Sequence, residues 1–228
     1  SVHSLKTDSK GGVWIGTWSG GLAHVGKHDI QFTYYQLPFQ SNALNNHVIS
    51  SFEHTHDGDI WISTEDGGLN RFNRKEKTFD FYKIRTRKHG TVNIKTLCFD
   101  EKNTLWIGAY ANGLWSFNID SKKFTHHNIF PAERISIYTL CLIGNTLWMG
   151  SWGDGIYSYN ITNGELINYI SDPADSNSVS SDYIRCIVVD SYEGLWIGTQ
   201  SGLNYKPKGS DHFKRFFFNT SEKENINH

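Results

Sequence analysis

Leu195-Trp196-Ile197-Gly198-Thr199 decides the reading of this chain, because it is the fifth copy of one string. Val13-Trp14-Ile15-Gly16-Thr17, Ile60-Trp61-Ile62-Ser63-Thr64, Leu105-Trp106-Ile107-Gly108-Ala109 and Leu147-Trp148-Met149-Gly150-Ser151 precede it, with Trp-to-Trp steps of 47, 45, 42 and 48 residues. Self-similarity at a period of ~20–50 residues marks an array in which one supersecondary unit covers the next. The match extends outward from each string. Gly plus an aliphatic follows: Gly21-Leu22, Gly68-Leu69, Gly113-Leu114, Gly155-Ile156 and Gly202-Leu203. Ten residues after the aliphatic stands Phe32, Phe79, Phe124, Leu166 or Phe213, and three further on Tyr35, Tyr82, His127, Tyr169 or Phe216.

Each unit reads as four short strands, a to d. An apolar run such as Val48-Ile49-Ser50-Ser51-Phe52 is strand a, the Trp string is strand b, and polar Gly/Asn/Asp turns separate the strands. Gly and Asn tolerate the positive φ that tight hairpins need. No segment carries a 3.6-residue apolar stripe, so no helix is expected. Four strands per ~40–45 residues make the blade of a β-propeller, whose two apolar faces are buried only by stacking. The expected fold is therefore all-β, with five four-stranded blades at about 1–36, 47–84, 93–128, 135–170 and 183–218. Residues 219–228 read as a connector to a next blade, because Asn225-Ile226-Asn227-His228 repeats the pattern of Ala43-Leu44-Asn45-Asn46-His47. On that reading the chain is part of a larger, seven-bladed propeller.

Composition excludes several classes. Lys+Arg is 22 and Asp+Glu is 23, for a formal charge of −1, which speaks against a nucleic-acid surface. No run approaches the ~18 apolar residues of a membrane span, so no direct membrane contact is expected of this segment. Ser1-Val2-His3-Ser4 carries no signal-peptide pattern, and the chain does not begin with Met. Three cysteines make neither a disulfide framework nor a zinc pattern.

The five string tryptophans recur in every unit and read as core. The position four after each varies: Trp18, Glu65, Tyr110, Trp152, Gln200. It falls in the b–c loop, which shares a face with the d-to-a connections. Trp18, Tyr110 and Trp152, beside Glu65, Asp66, Asn112 and Asp154, have the flat apolar faces and hydrogen-bonding groups that suit a sugar. The plainer reading is packing against neighbouring blades or a dimer contact. Residues opening strand a, namely His47, Asn93, Arg134, Tyr183 and Arg185, are candidates for the pore mouth. Arg134 and Arg185 there could bind an acidic sugar, or simply form a solvated rim. No metal or catalytic set is expected. His54 and His56 lack a third ligand, Asp57-Gly58-Asp59 reads as a hairpin turn, and His127 as structural filler. Cys98, Cys141 and Cys186 read as buried free thiols.

The pattern Asp, turn, Leu-Trp-Ile-Gly-Thr, loop, Gly-Gly-Leu and Phe-x-x-Tyr resembles the two-component regulator propeller repeat. Thr55 to Phe72 and Asp190 to Leu203 carry the likeness best, and Asp172 to Asp182 resembles the family's spacer. The resemblance implies a periplasmic, ligand-sensing propeller segment of a Bacteroidetes-type hybrid two-component histidine kinase, an inner-membrane protein. Such proteins bind oligosaccharides and signal as homodimers. The chain itself would be no enzyme and need no cofactor. Two alternatives compete: a stand-alone five-bladed sugar-binding lectin, and a propeller enzyme resembling streptogramin lyase. The lectin implies equivalent sites, which the varied position-four residues oppose. The enzyme implies an acid/base pair that the repeat does not place.

Overall fold

The structure, a computed structural model, describes residues 2–18, 20–27, 33–35, 43–86 and 90–217. Phe32, the expected blade ends at 36 and 218, and the connector 219–228 lie outside the described residues. The strands of the first two blades are β1 (Val2–Thr7), β2 (Val13–Thr17), β3 (Leu22–Val25), β4 (Thr33–Tyr35), β5 (Ile49–His54), β6 (Ile60–Thr64), β7 (Gly68–Asn73) and β8 (Thr78–Tyr82). A short ribbon, β9 (Arg85–Thr86) and β10 (Gly90–Thr91), precedes the third blade and has no counterpart in the repeat. There follow β11 (Ile94–Phe99), β12 (Thr104–Ala109), β13 (Gly113–Asn118), β14 (Lys123–His127), β15 (Ile137–Ile143), β16 (Thr146–Ser151), β17 (Ile156–Asn160) and β18 (Leu166–Tyr169). The last blade has β19 (Ile184–Val189), β20 (Leu195–Thr199), β21 (Gly202–Lys206) and β22 (Lys214–Phe216). Five four-stranded sheets take their strands in chain order, and the described residues contain no helix. The chain divides into two compact units, 1–142 and 143–228.

One aspartate organises many of the a–b hairpins. Asp8 accepts the backbone N–H of Lys10 and Gly12 at 2.9 Å. Asp100 accepts those of Lys102, Asn103 and Thr104 at 2.9 Å, and Asp190 those of Tyr192 (2.8 Å) and Gly194 (2.9 Å). This Asx-turn chemistry satisfies backbone donors that the reversing chain leaves unpaired. Asp57-Gly58-Asp59 is a hairpin turn as read, with Gly58 at φ 82° donating to the Thr55 carbonyl at 2.9 Å.

In the first unit the innermost strands β1, β5 and β11 pack side by side. The string Trp of one blade closes on the third strand of the next. The Trp14 ring lies 5.4 Å from Phe72, and Trp61 lies 5.3 Å from Phe117. Trp61, Phe72 and Phe117 are all but inaccessible, and each stabilises the stack by roughly 1.5–3 kcal/mol of apolar burial. The string Gly serves this approach: a Cβ on Gly108 would stand 2.5 Å from Thr96 Cγ2 and 2.7 Å from Ile137 Cγ2.

The second unit keeps the contact and changes its chemistry. Lys206 stands at the repeat position of Phe72 and Phe117. It is 6 % exposed, its Nζ is 4.9 Å from the Trp148 ring centre, and it donates to the Ser210 carbonyl. Burial pushes its pKa below the ordinary lysine value. Trp148 and Trp196 are only partly buried, unlike Trp14, Trp61 and Trp106. Cys186, Gly198, Leu203 and Phe216 pair in one row across the last sheet, and Val188, Trp196 and Tyr205 in the next row on the same face. Val188, Leu203 and Phe216 are exposed there. So is Cys186, which corrects its reading as a buried thiol. It sits two residues out of the register of Cys98 and Cys141 and shares the open face of Trp196. Cys98 and Cys141 are part-buried, and burial pushes the Cys98 thiol up to about 12, with Glu53 and Cys141 adding to the shift.

Candidate functional site

In the second, third and fifth blades the residue four after the string Trp is tied to the start of its own innermost strand. Glu65 donates its backbone N–H to the Val48 carbonyl (3.0 Å), Tyr110 to Asn93 (2.9 Å) and Gln200 to Tyr183 (3.0 Å). The b–c loop and the d-to-a connection of a blade are therefore neighbours on one face. Innermost strands carry a further device. Pairing slips between Val2 and Ser4, Ile49 and Ser51, Ile94 and Thr96, and Ile184 and Cys186. The extra residues are His3, Ser50, Lys95 and Arg185. A β-bulge re-aims the side chain of its extra residue and recurs beside functional sites.

In the first unit two of these bulge residues, His3 and Lys95, meet position-four residues. His3 lies 5.6 Å from the Trp18 ring. Lys95 forms an ion pair with Glu65, and its ammonium lies 5.8 Å from the ring centre of Tyr110 and 5.7 Å from that of Tyr138. With side-chain exposures of 15 % and 19 %, Lys95 and Glu65 are a largely sheltered pair. Trp18 (49 %) and Tyr110 (47 %) keep half their surface in solvent. Asn112 donates to the Tyr110 carbonyl at 2.9 Å and shapes its own loop. Asp66 is an exposed turn residue at φ 56°, and Arg134 is exposed before Ile135. His47 is exposed and Asn93 part-buried.

In the second unit Trp152, Tyr183 and Arg185 form one cluster. Trp152 and Tyr183 pair as a backbone bridge, with rings 5.2 Å apart at 78°. The Arg185 guanidinium lies 4.2 Å from the Trp152 ring centre. Asp154 and Asp182 add negative charge. Burial and Asp182 hold the Asp154 carboxyl above its usual range, and burial with both carboxylates pushes the Tyr157 hydroxyl up to about 12. Gly153 and Gly155 donate their N–H groups to the Asp182 carbonyl at 3.1 and 3.0 Å, which fixes the loop.

Of the candidates that the sequence offers, the structure brings Trp18 beside His3, Glu65 and Tyr110 beside Lys95, and Trp152 beside Arg185; His3, Lys95 and Tyr138 were not among those candidates. The available signal was the residue directly after the isoleucine that opens strand a: Ser50, Lys95, Tyr138 and Arg185 follow Ile49, Ile94, Ile137 and Ile184. Other candidates have structural places. His127 lies 4.9 Å from Trp106, with its Nε2 2.8 Å from Ser116 Oγ. His56 lies against the Glu101 carbonyl at 2.9 Å, and the described residues hold no group of three or more metal-ligating side chains.

Fold and face together define a β-propeller whose rim varies from blade to blade, a scaffold class and not an activity. The family described as two component regulator propeller matches residues 43–66 and 178–201. Both matched segments carry one polar junction. Thr64 Oγ1 donates to Asn45 Oδ1 at 2.9 Å, and Asn70 accepts the Asn45 N–H at 3.3 Å. Ser180 and Thr199 hydroxyls meet at 2.9 Å, and Asn204 accepts the Ser180 N–H at 2.9 Å. In the third and fourth blades Ala109 and Trp115, and Ser151 and Tyr157, replace this Thr–Asn pair. Among solved structures, the extracellular domains of BT4673 and BT3049 from B. thetaiotaomicron are described as hybrid two component systems, BT4673 also as a one component system. BT4673 superposes with a TM-score of 0.79 at 22 % identity, over 90 % of this chain and 27 % of that one. BT3049 gives 0.77 at 22 %, over 93 % and 29 %. PorZ, an essential surface component of the type-IX secretion system of Porphyromonas gingivalis, gives 0.66 at 15 %, over 90 % and 32 %. These identities establish the fold alone. The chain spans 27 to 32 % of the length of these proteins. No curated protein matches it.

Proposed function

We propose that this chain is a segment of an extracytoplasmic, periplasmic sensor propeller of a bacterial hybrid two-component system, one that takes an oligosaccharide at its b–c/d–a face. It contributes ligand recognition and scaffolding rather than catalysis, and the parent protein passes occupancy to a histidine kinase as a homodimer. The observation that carries this reading is the rim itself: on one constant backbone frame, the bulge and loop positions vary from blade to blade, and most hold an aromatic or charged group. Constant scaffold with variable convergent side chains is how a binding face differs from packing, where the same residue recurs. The repeat class and the extracellular hybrid two-component domains of like fold support the setting. The open Trp196 face supports a following blade, and so a larger propeller.

A glycan array probed with the chain and with Trp18→Ala and Trp152→Ala tests the site. A defined oligosaccharide class should bind the chain, and at least one variant should lose ~10-fold or more in affinity, the scale of one lost aromatic stacking contact. Undiminished binding in both variants removes the aromatic rim from the site.

A further inference from the structure

We propose that the ligand of the second unit's rim is an acidic saccharide, whose carboxylate or sulfate is received by Arg185 stacked on Trp152. This rests on the oligosaccharide reading above and narrows it.

The described arginines are used in different ways. Arg71 pairs with Asp59 at 2.6 Å and Asp57 at 3.4 Å, and Arg74 with Asp8 at 3.0 Å. Arg215 gives its donors to the carbonyls of Ser178 (2.7 Å), Asp175 (2.7 Å) and Asp172 (3.0 Å). Arg185 is held differently. Its guanidinium carbon lies 4.2 Å from the Trp152 ring centre, and among the described residues its N–H groups have no hydrogen bond or ion pair. The ring contact leaves those donors for a ligand, and a planar fork of N–H groups matches the two oxygens of a carboxylate or sulfate. The bulge at Arg185 and the edge contact of Tyr183 on Trp152 fix the ring beneath it, so little rotamer freedom is left to lose on binding.

The neighbouring charges argue for a saccharide rather than a simple anion. Asp154 and Asp182 lie on the same rim, and the Asp182 carboxylate accepts the Ser171 N–H at 2.7 Å. Carboxylates repel a bare polyanion but accept hydrogen bonds from hydroxyls. A cation, a ring and two carboxylates together suit a polyol that presents one acid group to Arg185 and hydroxyls to the carboxylates.

The test is an array of uronate-bearing, sulfate-bearing and neutral oligosaccharides, read on the full 228-residue chain and on Arg185→Gln and Arg185→Lys. Titration calorimetry of the best acidic hit and its carboxyl-reduced or desulfated counterpart follows, at low and high salt. Acidic ligands should bind ~10-fold or more tighter than their neutral counterparts, the scale of one charge-assisted hydrogen-bond pair. Arg185→Gln should abolish the preference, and Arg185→Lys should keep only part of it. The preference should shrink with salt. The uronate and sulfate arms decide which acid is read. Binding of neutral oligosaccharides with no acidic preference, or an acidic preference untouched by Arg185→Gln, overturns this inference and leaves the oligosaccharide reading standing. Failure of every glycan to bind overturns both.

Discussion

An imidazole at position 127 stands where the other blades carry Tyr35, Tyr82, Tyr169 and Phe216. Burial, then the neighbouring His126, pushes its pKa below the free value of 6.5. The sign follows directly. Above pH 6.5 both folded and unfolded chains hold it neutral. As pH falls through 6.5 the unfolded chain takes the proton and the folded chain resists, so stability drops until the lower folded value is passed. The thermal midpoint of the native chain should therefore fall more between pH 7 and pH 5 than that of His127→Tyr, which restores the recurring ring and keeps a hydroxyl for Ser116. Parallel pH profiles would show that His127 is not a source of acid sensitivity. His127 was legible because a repeat supplies its own reference: it stands out as a departure from an aromatic column. Lys95 is marked in the sequence only by its place after the isoleucine that opens strand a. That this place is a bulge comes from a one-residue slip in strand pairing, which nothing in Ile94-Lys95-Thr96 announces.

Blade-to-blade contact sets the tolerance of the elements. Gly108 on β12 admits the innermost strand of the next blade, and a methyl there would also stand 3.0 Å from the Ile137 carbonyl. Backbone cannot yield as a side chain does. Gly108→Ala should cost about 1–3 kcal/mol, the range for overpacking a core, read as a lower urea midpoint. Gly198→Ala, which meets only the Cys186 sulfur at 2.8 Å on an open face, should cost less. Equal costs would mean that inter-blade approach is not what the string glycine serves. The connector between the fourth and fifth blades depends on Arg215 instead, whose guanidinium gathers carbonyls from Asp172 to Val179. Arg215→Ala should expose residues 172–179 to proteolysis with little change in thermal midpoint, because the loop is largely solvated. Arg215→Lys should not restore protection, since one ammonium cannot serve that fan of acceptors. The sequence resembled a family spacer here, but the residue that pins it lies 36 to 43 positions downstream and outside any local pattern.

At the scale of the molecule the repeat made the fold legible, while the occupant of the rim stays a matter for its chemistry, since like folds serve hybrid two-component systems and a secretion-system surface component. The same repeat also says what the last blade lacks. Trp14 is covered by Phe72, Trp61 by Phe117 and Trp148 by Lys206, each from the third strand of the following blade. Trp196 has no such cover among the described residues, and Cys186 lies exposed on its face. An uncovered apolar sheet face of this kind is an association surface. If a further blade is its native cover, Cys186 reports on it. In the 228-residue chain Cys186 should react rapidly with a thiol reagent, while Cys98, with its thiol pushed up to about 12 by burial, reacts slowly. In a longer stretch of the parent protein Cys186 should become protected, with Trp196 fluorescence less open to a soluble quencher. A Cys186 equally reactive in both would show that no blade covers this face, and the five sheets would then have to be counted as the whole propeller.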